Sequence, residues 1–205
     1  MRLGVDFDNT IAGYDRVFGR LAVECGYLDA VPAGGKRAVR DRLRQRSDGD
    51  LDWQRLQALA YGPHMAEAEM FDGVDAFFRR CRADGIDVYI VSHKTRFASL
   101  DDGNVDLREA ALAWMDAHRF FDIDGLGLRE TQIFFEDCRA GKIARIGGLG
   151  CTHFIDDLRE VFADPGFPAE VARVLFDPHA QSAESGLTRF SNWNEITDHV
   201  LGSVH

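Results

Sequence analysis

Residues 3–10 read Leu3-Gly4-Val5-Asp6-Phe7-Asp8-Asn9-Thr10. The segment Leu3–Phe7 reads as a first strand, and it runs straight into acids and turn formers. On an extended backbone residues two apart point the same way, so Asp6 and Asp8 share a site if the strand continues that far. The stretch does not open a calcium-binding EF-hand. That loop needs Gly at its sixth position and Glu at its twelfth, where this chain has Ile11 and Val17.

Four further apolar runs follow: 85–91, rich in β-branched residues, then 131–135, 153–155 and 172–176. Helical patterns lie between them. Val74, Phe77, Phe78 and Cys81 sit at i, i+3, i+4 and i+7 before the breaker Gly85, and Leu107, Ala110, Ala111 and Trp114 repeat that spacing within 107–118. Strands alternating with helices predict an α/β fold, a parallel sheet with helices on both faces. In such sheets ligands bind beyond the carboxyl ends of the strands.

Residues 13–71 break the alternation. They carry no convincing strand but three helical patterns, near 15–25, 36–46 and 51–61, punctuated by Pro32-Ala33-Gly34-Gly35 and Ser47-Asp48-Gly49-Asp50. This exceeds an ordinary connection, so 13–71 is expected to be a small helical insertion, with 1–12 and 72–205 forming the main domain. The second pattern is basic, with Lys36, Arg37, Arg40, Arg42, Arg44 and Arg46. Two readings stand side by side: a cationic lid for an anionic substrate, or a solvated face paired with acidic neighbours, which charges all round the helix favour. Trp53 and Tyr61 fall at helical spacing with Leu56, Leu59 and Ala60, which favours packing over stacking on a ligand.

The chain has 205 residues, with 24 Lys plus Arg against 34 Asp plus Glu, a formal charge of −10. That surplus disfavours a grip on nucleic-acid polymers, whose affinity comes from neutralising phosphates. No apolar run approaches the roughly 20 residues of a spanning helix, and Met1-Arg2-Leu3 leads directly into the first strand, so no membrane partner and a cytoplasmic location are expected. Cys25, Cys81, Cys138 and Cys151 show no C-x-x-C spacing and read as reduced thiols. No H-x-x-x-H pair supports a histidine metal site. Oligomeric state is not legible.

Chemistry concentrates where strands end. The fourth strand runs into Asp156-Asp157; beside the first, it gathers three or four carboxylates at one edge. Two like charges about 4 Å apart repel by about 4 kcal/mol at an effective dielectric of 20. Such a cluster needs protons or a cation, and oxygen ligands without His or Cys suggest magnesium. The second strand ends Val91-Ser92-His93-Lys94-Thr95: a hydroxyl, main-chain N–H groups and a lysine are parts of a phosphate site, although Ser before a helix is also a cap. Lys142 lies just ahead of the fourth strand.

The order of these features carries more than any one of them. LGVDFDNT (3–10), VYIVSHKT (88–95), GKIARI (141–146) and HFIDDL (153–158) together resemble the haloacid dehalogenase-like (HAD) hydrolase superfamily, with 13–71 in the place of its helical cap. The resemblance implies a three-layer Rossmann-like core and a magnesium-dependent phosphatase of a small phosphorylated metabolite, a sugar phosphate or nucleoside monophosphate. It implies Asp6 as the nucleophile that forms an aspartyl-phosphate and Asp8 as general acid and base. Superfamily dehalogenases lack a carboxylate at the position of Asp8, which favours phosphoryl transfer. Magnesium would be held by Asp6, the main-chain carbonyl of Asp8 and Asp156, with Asp157 direct or through water. Ser92 and Lys142 would bind phosphoryl oxygens, and Asn9, Thr10 and His93 are further candidates at the phosphate or leaving group. Lys94 and Arg139 compete with Lys142 for the cationic role; Lys94 is expected to point into the following helix. Transfer to an acceptor other than water, and a phosphate-binding or regulatory module that turns nothing over, are the alternatives.

Overall fold

A computed structural model describes residues 1–98, 100, 105–179 and 186–202. The chain divides into two compact units: 1–12, 70–94 and 118–205 form the first, 13–69 and 95–117 the second.

The first unit is built on six parallel strands: β1 (Arg2–Val5), β4 (Asp87–His93), β5 (Ile133–Glu136), β6 (His153–Asp156), β7 (Ala172–Phe176) and β8 (Thr188–Phe190). Their order across the sheet is β5-β4-β1-β6-β7-β8. The chain leaves β1 toward β4 and β5, then returns to its other side for β6, β7 and β8, so the direction of winding reverses at β1. That reversal opens a crevice at the carboxyl ends of β4, β1 and β6. The two-residue strands β2 (Ala12–Gly13) and β3 (Glu69–Met70) pair with each other.

Alternation along the strands feeds two apolar layers. On one side Val91, Phe154 and Leu175 pack with Ile143 and Ile146 of α6 (Arg139–Gly148) and with Val161 and Phe162 of the short α7 (Arg159–Phe162). A second aromatic cluster joins Phe77 of α4 (Val74–Ala83), Phe176 and Trp193 of α8 (Trp193–Leu201), with ring centroids 5.0 and 5.9 Å from the Trp193 indole. Asn192 caps α8 by accepting the Glu195 N–H. The architecture is the expected α/β parallel sheet with helices on both faces.

Several boundaries differ from the sequence reading. β1 stops at Val5, with one more ladder bond from the Asp6 N–H to the Ile155 carbonyl. The Phe7 carbonyl then accepts from the amides of Ile11 and Ala12, which closes a tight loop. β4 begins two residues later than expected and reaches His93, so Ser92 lies within the strand. Residues 130–132 form a 3-10 turn before β5, because the buried Gln132 amide donates to the Val88 carbonyl.

The second unit contains α1 (Asp15–Glu24), α2 (Gly35–Leu43), α3 (Gly49–Tyr61), a 3-10 turn at Met65–Glu67 and α5 (Leu107–Ala117). Phe18 of α1 stacks on Trp53 at 4.9 Å, and Tyr61 meets Tyr14 edge-on at 4.9 Å, so both α3 aromatics pack this unit. Of the basic residues of 36–46, Arg37 and Arg40 pair with Asp41 at 3.9 and 2.9 Å, Arg44 with Asp50 at 2.9 Å and Arg46 with Asp52 at 3.7 Å. The expected insertion 13–71 thus differs from this unit, which also takes in 95–117. The reason is α5: the Trp114 indole donates to the Ala68 carbonyl at 2.9 Å, and Val105 and Leu107 lie against Gly62. Among the described residues no helix is long and apolar enough to cross a membrane. All four cysteines are free thiols.

Candidate active site

Asp6 follows β1, and Asp156 and Asp157 stand at the end of the neighbouring β6. One carboxylate oxygen from each of the three lies within 4.8 Å of the others, with Asp6 and Asp156 buried. Such crowding of like charge needs a counterion, and Lys142 on α6 supplies one. Its ammonium lies 2.6 Å from Asp6 Oδ1 and 2.6 Å from Asp156 Oδ2, and the lysine is itself buried. Burial alone would lower the pKa of Lys142, but the carboxylates of Asp156 and Asp6 outweigh it and raise the pKa, so the ammonium stays charged. Asp156 moves up to about 7: burial and the nearby Asp6 charge raise it, against the pull of Lys142.

The donor set fits a hard divalent cation. Three carboxylates converge without nitrogen or sulfur ligands beside them. Thr10 ties the set together. Its hydroxyl accepts the Asp157 N–H at 3.1 Å and stands 3.3 Å from Asp6 Oδ2 and 3.4 Å from Asp157 Oδ1. The Thr10 carbonyl in turn accepts the buried Trp193 indole N–H at 3.0 Å.

On the other flank, β4 contributes Ser92 and Lys94. The Lys94 N–H still bonds to the Glu136 carbonyl, so the backbone stays extended past the end of β4 and the two side chains emerge on one face. Ser92 Oγ is buried without a hydrogen-bond partner among the described residues, a costly condition for a hydroxyl unless a ligand completes it. Lys94 is buried and its ammonium sits 2.9 Å from Asp8 Oδ2 and 3.1 Å from Asp8 Oδ1. The expectation that Lys94 points into a following helix is therefore corrected: extension of the strand, not a helix start, directs it.

Other candidates lie differently. Because β1 ends before Phe7, Asp8 belongs to the loop rather than the strand, and Asp6 and Asp8 meet different lysines. Asn9 adopts a left-handed φ of 62° and its N–H closes the turn on the Ala12 carbonyl at 2.7 Å, so that amide is already committed. The Thr10 hydroxyl serves the carboxylates. His93 is exposed and its ring meets the Asp137 carbonyl at 3.1 Å. Arg139 pairs with Asp164 at 3.6 Å, away from the carboxylate cluster, while Lys142 is held within it. Lys94 is among the sequence candidates, but its pairing with Asp8 escaped sequence reasoning, although the period of two from Ser92 was a usable signal for its direction. Trp193 escaped altogether, and nothing local marks it, 183 positions from Thr10.

No protein-family model matches the chain. No curated protein matches it either. Solved structures do. A family IA, variant 3 HAD hydrolase from Entamoeba histolytica superposes with a TM-score of 0.58 at 13% identity, covering 98% of this chain and 97% of that one. The HAD-hydrolase YfnB from Bacillus subtilis, bound to magnesium, gives 0.56 at 14% identity with 98% of each chain covered. A HAD family hydrolase from Deinococcus radiodurans, with bound phosphate and sodium, gives 0.55 at 15% identity, covering 97% and 94%. The chain therefore has the HAD-like fold, a Rossmann-like α/β core.

Proposed function

We propose that the protein is a magnesium-dependent hydrolase of small phosphate monoesters, working through an aspartyl-phosphate on Asp6. The observation that carries this reading is the convergence of Asp6, Asp156 and the half-buried Asp157, with the buried Lys142 ammonium on Asp6 and Asp156. The neighbours bound to magnesium, or to phosphate and sodium, lend support at the level of fold.

Asp6, Asp156 and Asp157 would hold the ion with the Asp8 main-chain carbonyl, and when bound it offsets the repulsion between an anionic nucleophile and an anionic ester. Asp6 attacks phosphorus in line, forming a bond from its carboxylate oxygen as the bond to the ester oxygen breaks. Asp8 gives its proton to the departing oxygen. In the second step water attacks the same phosphorus, its proton passes to Asp8, and Asp6 is released with inorganic phosphate. An ammonium that touches Asp6 in the free protein also reaches oxygens of a phosphoryl group seated there, so Lys142 stabilises charge in both steps. Ser92 supplies a buried hydroxyl with no hydrogen-bond partner among the described residues. A carboxylate at Asp8, tied in place, favours phosphoryl transfer over carbon–halogen cleavage.

The test is hydrolysis of p-nitrophenyl phosphate with Mg2+ and with EDTA, followed by a panel of sugar phosphates and nucleoside monophosphates. Turnover is expected only with the metal, and Asp6→Asn is expected to abolish it while circular dichroism stays unchanged. Full activity of Asp6→Asn, or activity indifferent to EDTA, overturns the mechanism.

A further inference from the structure

Each of the two carboxylates assigned to chemistry has its own buried lysine. Lys142 serves Asp6 together with Asp156, whereas Lys94 faces Asp8. Lysine is almost never fully buried unless paired, and fixing its long side chain costs rotamer entropy. Lys94 is nevertheless only 4% exposed. It is held at three points: its N–H on the Glu136 carbonyl at 3.0 Å, its ammonium 5.8 Å from the centre of the buried Phe7 ring, and the contacts to both oxygens of Asp8. Asp8 itself lies in the loop beyond β1, where its backbone is bridged to Ala12 rather than to a neighbouring strand of the six-stranded sheet.

We infer that Lys94 is a positioning residue for proton transfer, holding the Asp8 carboxyl group at the angle from which it serves the leaving oxygen. The inference rests on the reading of Asp8 as acid and base, and deepens it. A general acid must stand within hydrogen-bond reach of the atom it protonates, and small displacements cost large factors in rate. A loop carboxylate without an anchor samples several rotamers. Clamping both oxygens on an ammonium fixed by β5 and Phe7 restricts that freedom. The inference concerns geometry, and it makes the contribution of Lys94 depend on how much the leaving group needs a proton.

The experiment compares kcat and KM for p-nitrophenyl, phenyl and 4-methoxyphenyl phosphate in the wild type, Asp8→Asn, Lys94→Met and Lys94→Gln, all with saturating Mg2+. Nitrophenolate departs with little help, whereas the other two need protonation. For Lys94→Met, kcat/KM, which reports only the steps through departure of the leaving group, should fall about 3-fold on p-nitrophenyl phosphate but about 100-fold on phenyl and 4-methoxyphenyl phosphate, within the range of acid–base contributions. Asp8→Asn should show the same slope more steeply. Lys94→Gln keeps a donor and an uncharged tie, and should show a shallower slope; it also serves if Lys94→Met folds poorly by thermal denaturation. An equal loss of kcat/KM across the three esters overturns the positioning role while leaving the phosphatase reading standing. A wild type that hydrolyses none of them overturns both.

Discussion

Asp156 is fully buried, and its charge is opposed by Asp6 and supported by Lys142. Burial, the largest influence, together with Asp6 lifts its carboxyl to about 7, above the usual value of 3.8. The sign of the consequence follows from proton counting. Between about pH 4 and 7 the metal-free folded chain binds the Asp156 proton and the unfolded chain does not, so this group makes stability fall as pH rises, by at most ~1.4 kcal/mol per pH unit. A bound divalent cation needs the carboxylate and reverses the preference. Thermal denaturation in EDTA should show the wild type losing ground to Asp156→Asn between pH 5 and 8. Mg2+ should raise the wild-type melting temperature more at pH 8 than at pH 5. A wild type that gains on Asp156→Asn over that range in EDTA counts against the assigned environment. At this scale the sequence revealed residue types well: Asp6, Ser92, Lys142, Asp156 and Asp157 stand at strand ends or on the next helix. It did not reveal pairings. The bridging hydroxyl of Thr10 and the indole of Trp193 depend on where distant segments meet, and no local pattern encodes that.

Strands and helices with strong periodicity were legible, and the failures have local causes. β8 is three residues long, lies at the sheet edge and exposes Thr188 and Arg189, so it offers no alternation to detect. β4 runs past the apolar stretch because the ladder to β5 continues through polar Ser92 and His93: Ser92 pairs with Phe135 and His93 with Glu136 in register. Hydrogen bonding rather than hydrophobicity extends it. The junction of β1 and β6 depends on a single absent side chain. Gly4 stands opposite Phe154, and a Cβ there would lie 2.5 Å from the Phe154 ring. The same ring stands beneath Lys142, 5.3 Å from its ammonium to the ring centre. Gly4→Ala must therefore move Phe154, and overpacking of a dense core costs about 1–3 kcal/mol. At this chain length that lowers the melting temperature by about 2–12 °C, taking about 2–4 °C per kcal/mol. A melting temperature unchanged in Gly4→Ala would mean that the ring has room to yield.

Across the whole chain, charge and organisation show what composition does and does not carry. The net charge of −10 argues only against polyanions held on a basic surface, and the basic run 36–46 is largely matched by Asp41, Asp50 and Asp52. The four carboxylates of the candidate site belong to the acidic surplus, and two buried lysines oppose them. Organisation was read from an interruption in the strand–helix rhythm, which located 13–71 but could not say which partner the later helix 107–118 chooses. Periodicity shows that a helix has an apolar face; it does not name what covers that face. In the structure α5 clusters with 13–69 through Leu107, Trp114, Gly62 and Ala68. Removal of 13–69 alone therefore strips partners from Leu107 and Trp114, both buried in the intact chain. Exposed aromatic and aliphatic faces of that kind drive association. A chain joining 12 directly to 70 should elute as aggregate in size-exclusion chromatography and bind a hydrophobic dye. A chain that also replaces 95–117 with a short Gly/Ser linker keeps the six-stranded unit without the orphaned helix, and should elute as a discrete species with a cooperative melt. If the first truncation behaves as well as the second, α5 does not need 13–69, and the division of the chain returns to the simple insertion.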